Sequence, residues 1–298
     1  LDIESRSRSR ASLEILRRDD ISIELLVKGI PLPVLNAIRR IMQLEVPTAA
    51  VEDVIFYENS TPIYDEIIAQ RLAMLPIASE VALKKLKPPE ECSKCFEEAS
   101  GEAPEELSKI CEGCFTIVSF QGEASSEPVY VYARDLKTDD PDIRPAYPEI
   151  PVTVIGPGQR LSFDARIRIG RGVEHIKWSP VTVTGTRYVA NISTKPVSGE
   201  KAREAESCVE MCPVKILSFN KEESRIEVSD IYKCTLCMQC VKRCPPGSID
   251  VRPREDEYIL FGESAGQLGV KTILTMAIDI LISKLDHLIS QVSSMRGG

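Results

Sequence analysis

Cys234, Cys237, Cys240 and Cys244 are separated by two, two and three residues, and Pro245 follows the last of them. With this C-x2-C-x2-C-x3-C-P spacing, thiolates on one tight loop reach neighbouring irons of an iron–sulfur cluster. Where two clusters are held, the run occurs twice, and the fourth Cys of each run ligates the other cluster. Reading back from Cys212-Pro213 gives a second run that is half dismantled. Its third ligand position is Cys208, but its first two are Ala202 and Ala205. One cluster therefore keeps a full ligand set: Cys212, Cys234, Cys237 and Cys240. The other keeps only Cys208 and Cys244, too few to hold it. The expected cofactor is one iron–sulfur cluster, 4Fe-4S, or 3Fe-4S if a ligand is lost to oxidation. A zinc site and idle thiols are the alternatives. Losing one of two centres points to a structural role more than to electron transport. Cys208 and Cys244 sit at the vacated ligand positions, so their sulfurs should lie close. A disulfide between them is expected, against a pair of buried reduced thiols.

A second cysteine set has the spacing Cys92-x2-Cys95-x15-Cys111-x2-Cys114. Two C-x2-C pairs at this separation match a four-thiolate zinc ribbon or knuckle, and Gly113 inside the second pair suits a tight turn. Disulfides and empty thiols are the other two readings. The intervening segment, with Glu97, Glu98, Glu102, Glu105 and Glu106, reads as a solvated acidic loop. No phosphate-binding Gly-rich loop or dinucleotide fingerprint occurs. The two histidines, His175 and His287, are isolated and read as structural. Asp139-Asp140 sits in a polar turn, and Trp178 reads as a packing residue.

Length and charge narrow the class. At 298 residues the chain is long enough for two or three domains. A net charge of −8 argues against a large nucleic-acid footprint, so no direct specific nucleic-acid binding is expected. Its one basic cluster, Arg6, Arg8 and Arg10, lies in a Ser/Arg-rich leader expected to be disordered. No segment reads as a signal peptide or membrane span, so a cytoplasmic protein is expected, in which ten cysteines indicate metal more than a disulfide framework.

The elements that must position these residues follow from periodicity. Residues 12–28 alternate like a hairpin. Pro31 and Pro33 open a helix in which Val34, Leu35, Ile38, Ile41 and Met42 recur at helical spacing, ending before Pro47. Short strands and a helix over 64–72 follow. Residues 115–178 are strand-rich, 180–190 alternate, and 257–262 read as a further strand. Gly266 and Gly269 precede a long helix to about 293. Its stripe of Val270, Ile273, Leu274, Ala277, Leu281, Leu285, Leu288 and Val292 approaches a heptad seam and calls for a partner helix.

Four segments, in order, resemble the D subunit of archaeal RNA polymerase, the counterpart of the bacterial α-subunit amino-terminal domain and of the eukaryotic third-largest subunit. They are Leu35-Asn-Ala-Ile-Arg-Arg-Ile41, Asp65-Glu-Ile-Ile-Ala-Gln-Arg-Leu-Ala-Met-Leu-Pro-Ile77, Gly172-Val-Glu-His-Ile-Lys-Trp-Ser-Pro-Val181 and Tyr258-Ile-Leu-Phe-Gly-Glu-Ser-Ala-Gly266. Gln70 departs from the His that many relatives carry. The resemblance implies an α+β fold: a discontinuous dimerisation domain (12–46, 178–197 and 255–298) carrying an inserted strand-rich domain (47–177) and an inserted ferredoxin-like domain (198–254), after a leader at 1–11.

The resemblance also implies a non-catalytic assembly subunit. It would pair with a small L-type subunit, contact an N-type subunit and dock on the second-largest catalytic subunit of the polymerase. By analogy, Leu35, Ile38, Arg39, Arg40 and Ile41 on the first helix, and Ile273, Leu274, Ala277, Leu281, Leu285 and Leu288 on the last, carry the subunit interface. The competing functions are a ferredoxin-like electron carrier and a redox sensor whose cluster gates assembly.

Overall fold

The computed structural model describes residues 11–97 and 111–295. The leader arginines and the acidic residues Glu98, Glu102, Glu105 and Glu106 lie outside the described residues. In chain order, β1 (Ser12–Arg18) and β2 (Ser22–Lys28) form the expected antiparallel hairpin, with Ser12 opposite Lys28. Asp19 closes its turn by accepting hydrogen bonds from the N–H groups of Ile21 and Ser22, the Asx geometry that favours Asp in turns. Helix α1 (Leu32–Leu44) follows. Then comes β3 (Pro47–Asn59), one strand of 13 residues where the alternation suggested several short ones. Two β-bulges, at Val51/Asp53 and Phe56/Glu58, explain the discrepancy. Each inserts a residue and resets the two-residue period that marks a strand.

Helices α2 (Asp65–Ala73), α3 (Ser79–Lys85) and α4 (Pro89–Glu97) lead into the strand-rich region. Its strands are β4 (Thr116–Glu123), β5 (Val129–Tyr132), β6 (Lys137–Thr138), β7 (Pro151–Ile155) and β8 (Arg160–Arg171). The chain continues through β9 (Val181–Thr194), α5 (Glu200–Cys208), β10 (Leu217–Asn220), β11 (Arg225–Val228) and α6 (Gln239–Arg243). It ends with β12 (Ile249–Ser264) and α7 (Val270–Met295).

The described chain divides into two compact units. The first takes in residues up to Arg18, Ile23–Asn36 and Gly185–Phe261. Its main sheet has the order β1-β2-β12-β9 and buries Leu26, Val189 and Ile259 on one face. A second core in this unit gathers Ala190, Ala205, Cys208, Val209, Ile226, Cys244, Ile249 and Val251 around the β10–β11 hairpin. The second unit takes in Asp19–Ser22, Ala37–Thr184 and the chain from Gly262 onward. Its sheet, ordered β3-β8-β4-β6, packs α2 and α3 over a core centred on Phe163, whose ring lies 5.7 Å from Phe56 and 5.8 Å from Phe120. A smaller core joins Ile38, Ile41 and Met42 of α1 to Val181, Leu268, Ile273 and Ala277.

Candidate metal centres and apolar seam

In the first unit, Cys212, Cys234, Cys237 and Cys240 are unbonded thiols lining one small pocket of about 20 Å³. Ile192, Pro213, Val214, Ile216, Leu217 and Val251 supply its apolar wall. The Cys234–Cys240 loop is wound tightly, with Leu236 and Met238 at φ 54° and 61°. Non-glycine residues seldom enter this left-handed region. Left-handed residues alternating along a loop are the backbone pattern of nests that hold anions and iron–sulfur centres. Burial pushes the Cys240 thiol up, and the neighbouring Cys234, Cys237 and Cys212 sulfurs push it further.

Among the described residues, no three His, Cys, Asp or Glu side chains converge as the ligands of a single ion. Three cysteines on one tight loop with a fourth facing the same pocket are the donor set of an iron–sulfur cluster. When bound, a cluster would cross-link three loop cysteines to Cys212 and neutralise their charge.

Cys208, at the end of α5, and Cys244, just after α6, are joined as a disulfide buried in the second core of this unit. Ala205, one helical turn before Cys208, is fully buried beside them. A methyl group thus fills a ligand position of the dismantled site.

In the second unit, Cys92 pairs with Cys114 and Cys95 with Cys111. All four are buried, and among the described residues only Phe115 joins them in their cluster. Gly113 at φ 79° and a hydrogen bond from the Cys114 N–H to the Cys111 carbonyl form the turn that presents the second pair. Cys95 Sγ and Cys114 Sγ, which are not bonded to each other, stand 3.9 Å apart. Thiolates around tetrahedral zinc, at about 2.3 Å from the metal, are about 3.8 Å apart. Four cysteines gathered in this way are, once reduced, a donor set of the kind that holds zinc, although as bonded here they are two disulfides.

The expected interface residues fall into two groups. Leu35, Ile38, Ile41, Ile273 and Ala277 are buried in the chain's own packing, while Leu274 and Leu281 are half-buried. Ile38 and Ile41 of α1 and Ile273 and Ala277 in the first two turns of α7 share one core. Arg39 is half-buried, whereas Arg40, Leu285 and Leu288 are exposed. Beyond Ala277, α7 turns a second stripe to solvent: Ile278 (36% exposed), Ile282 (50%), Leu285 (50%), Ile289 (62%) and Val292 (46%). Its alternating four- and three-residue steps are a coiled-coil seam. Of the five, only Leu285 and Val292 lie on the stripe read from the sequence. The signal for the others was in the sequence, one helical column away. Lys284 ties the middle of α7 to Glu45 by an ion pair at 2.6 Å.

One constellation went unread in the sequence. Arg168 pairs with Glu52 and Glu174, and Lys177 pairs with Glu52 at 2.6 Å. The two cations lie 4.1 and 4.2 Å from the Trp178 ring. Burial opposes ionisation of Glu52, but Lys177 and Arg168 outweigh it and hold the carboxyl below the usual glutamate range. Trp178 is therefore a packing residue, seated against Gly170. His175 accepts a hydrogen bond from the Lys177 N–H, and His287 lies against Gln291 on α7. Asp140 is paired with Lys85. No helix of the described residues is long and apolar enough to cross a membrane.

Residues 54–183 match the model of the RNA polymerase Rpb3/RpoA insert domain, and residues 203–258 match a 4Fe-4S dicluster domain. DNA-directed RNA polymerase subunit Rpo3 of Methanosphaera stadtmanae is 32% identical, over 95% of this chain and 98% of the relative. The Rpo3 subunit of Aeropyrum pernix is 32% identical over 95% and 96%, and that of Pyrococcus horikoshii 31% over 96% and 99%. With identity at this level along nearly the whole length of both chains, this protein belongs to the Rpo3 family of DNA-directed RNA polymerase subunits.

Proposed function

We propose that the chain is a non-catalytic assembly subunit of DNA-directed RNA polymerase. It pairs with a small L-type subunit through α7, contacts an N-type subunit, and docks on the second-largest subunit. Polymerisation chemistry belongs to other subunits, and the role would place the protein in the cytoplasm. The carrying observation is the exposed seam of Ile278, Ile282, Leu285, Ile289 and Val292. A contiguous apolar surface of this kind marks a protein-interaction site. Across the 14 residue steps from Ile278 to Val292 it extends about 21 Å, enough for a partner helix of similar length. Cys212, Cys234, Cys237 and Cys240 hold a structural cluster that fixes the ferredoxin-like module. Cys92, Cys95, Cys111 and Cys114 hold one zinc. The expected domains, with the assembly domain discontinuous around two inserts, are kept as part of this reading.

Co-expression with the small subunit tests the proposal. The chain alone should self-associate, and the pair should elute as a soluble one-to-one complex. A chain that stays monomeric alone and ignores the small subunit would refute it. The redox-sensor reading draws on Cys237, which is exposed at the cavity rim. It fails if replacing Cys234, Cys237 and Cys240 by Ser leaves heterodimer formation unchanged.

A further inference from the structure

Cys92, Cys95, Cys111 and Cys114 can satisfy their sulfurs in two ways on one backbone. The bonds drawn between them join the α4 pair to the turn pair, Cys92 to Cys114 and Cys95 to Cys111, and neither closes within a C-x2-C pair. The non-bonded Cys95–Cys114 separation of 3.9 Å matches one edge of a zinc–thiolate tetrahedron. Exchange between the two states opens both S–S bonds and spreads each pair to an edge of about 3.8 Å.

The surroundings make the cross-link decisive. Among the described residues, the partly buried Phe115 is the apolar side chain packed against these sulfurs. A cluster built mainly of cysteines takes its order from metal or disulfides. It also bears on its neighbours: Glu90 of α4 pairs with Arg171 at the end of β8, and the Lys87 N–H donates to the Gly113 carbonyl at 2.8 Å.

We propose that this is a zinc–disulfide exchange site: the reduced chain holds one Zn²⁺ on four thiolates, and oxidation expels the ion while keeping α4 stapled. This rests on the zinc reading given above. The oxidant is a peroxide. Four thiolates give up four electrons and form two S–S bonds. Two hydrogen peroxide molecules take those electrons with four protons and leave as four waters, and Zn²⁺ departs as a free ion. A dithiol reductant with added zinc reverses the change.

The test uses the full chain, purified anaerobically under reducing conditions, with zinc and iron counted separately by mass spectrometry. Two equivalents of hydrogen peroxide are added, freed zinc is read with a chromogenic chelator, and cysteines are mapped by differential alkylation. The expected result is about one zinc per chain before oxidation and its release afterwards. Peptides linked 92–114 and 95–111 should appear, and dithiothreitol plus zinc should restore the starting state. Zinc that stays bound, or that leaves without those two linkages, overturns the exchange proposal while the zinc reading survives. Absence of zinc from the reduced chain, with the four cysteines free or already bridged, overturns the zinc reading and the proposal with it. Iron release during the titration reports the other cysteine set and is scored separately. A Cys92→Ser/Cys114→Ser chain provides a second readout. It should bind no zinc at this site yet still close 95–111 on oxidation, and zinc retention by it would refute the four-thiolate assignment.

Discussion

Replacing Ile282, Leu285 and Ile289 together by Ala tests the seam on α7 most directly. In the free chain these side chains are 50%, 50% and 62% exposed. Fully burying a Leu or Ile is worth about 1.5–3 kcal/mol, so covering the remaining half yields about 1 kcal/mol each. The triple variant should lose about 3 kcal/mol of binding, which raises Kd about 100-fold at 1.4 kcal/mol per decade. Neighbouring sites do not add strictly, so 30- to 300-fold is a sensible range, roughly. The assay is calorimetric titration of the chain with the small polymerase subunit.

Ile273→Ala serves as the control. That side chain is fully buried within the chain, so the substitution should cost about 2–5 kcal/mol of folding stability. The two variants should separate cleanly. The triple variant weakens binding and leaves the melting temperature of the free chain nearly unchanged. Ile273→Ala lowers the melting temperature and, where the chain remains folded, leaves Kd close to wild type. A triple variant whose Kd changes less than threefold would refute the assignment of the seam to the partner.

Further outcomes are expected elsewhere. Because Glu52 is held below its ordinary pKa by Lys177 and Arg168, its contribution is present above the unfolded value and is lost as pH falls through the folded one. Denaturant titrations from pH 6 down to pH 3 should therefore show Glu52→Gln losing less stability than wild type, while being less stable by about 3 kcal/mol at pH 7; parallel curves would count against the ion-pair account. Gly170→Ala drives a Cβ into the Trp178 ring and should cost about 1–3 kcal/mol in chemical denaturation. Replacing Cys234, Cys237 and Cys240 together by Ser should abolish iron binding and its visible absorbance and speed proteolysis within 198–254, with 115–178 keeping its protection. Cys208→Ser in an oxidised sample should cost the first unit about 2–4 kcal/mol, read from its thermal transition.

The grouping of the cysteines was legible because metal chemistry leaves its record in local spacing. A C-x2-C-x2-C run must wrap on itself whatever surrounds it, and Ala202 and Ala205 at two ligand positions argue for a single cluster. The hairpin at 12–28 and the helices α1 and α7 were legible for a related reason: they show one uninterrupted period. β3 was not, since two bulges reset its alternation and made one strand look like several. The knot of Glu52, Arg168, Glu174, Lys177 and Trp178 was not legible either. Glu52 lies 125 residues from Lys177, with an interaction distance of 2.6 Å, and nothing in local sequence marks such a pair.

The division on α7 shows where sequence stops. Periodicity determined that this helix is apolar along more than one column, and cysteine spacing determined which thiols could share a metal. Only the tertiary structure decided that Ile273 and Ala277 close the core with α1, that Ile278, Ile282 and Ile289 remain outside it, and which cysteine faces which across 16 and 22 residues. The reason is physical. Local order follows from the covalent neighbours of a residue, whereas burial and cross-linking depend on which distant surface arrives to cover it.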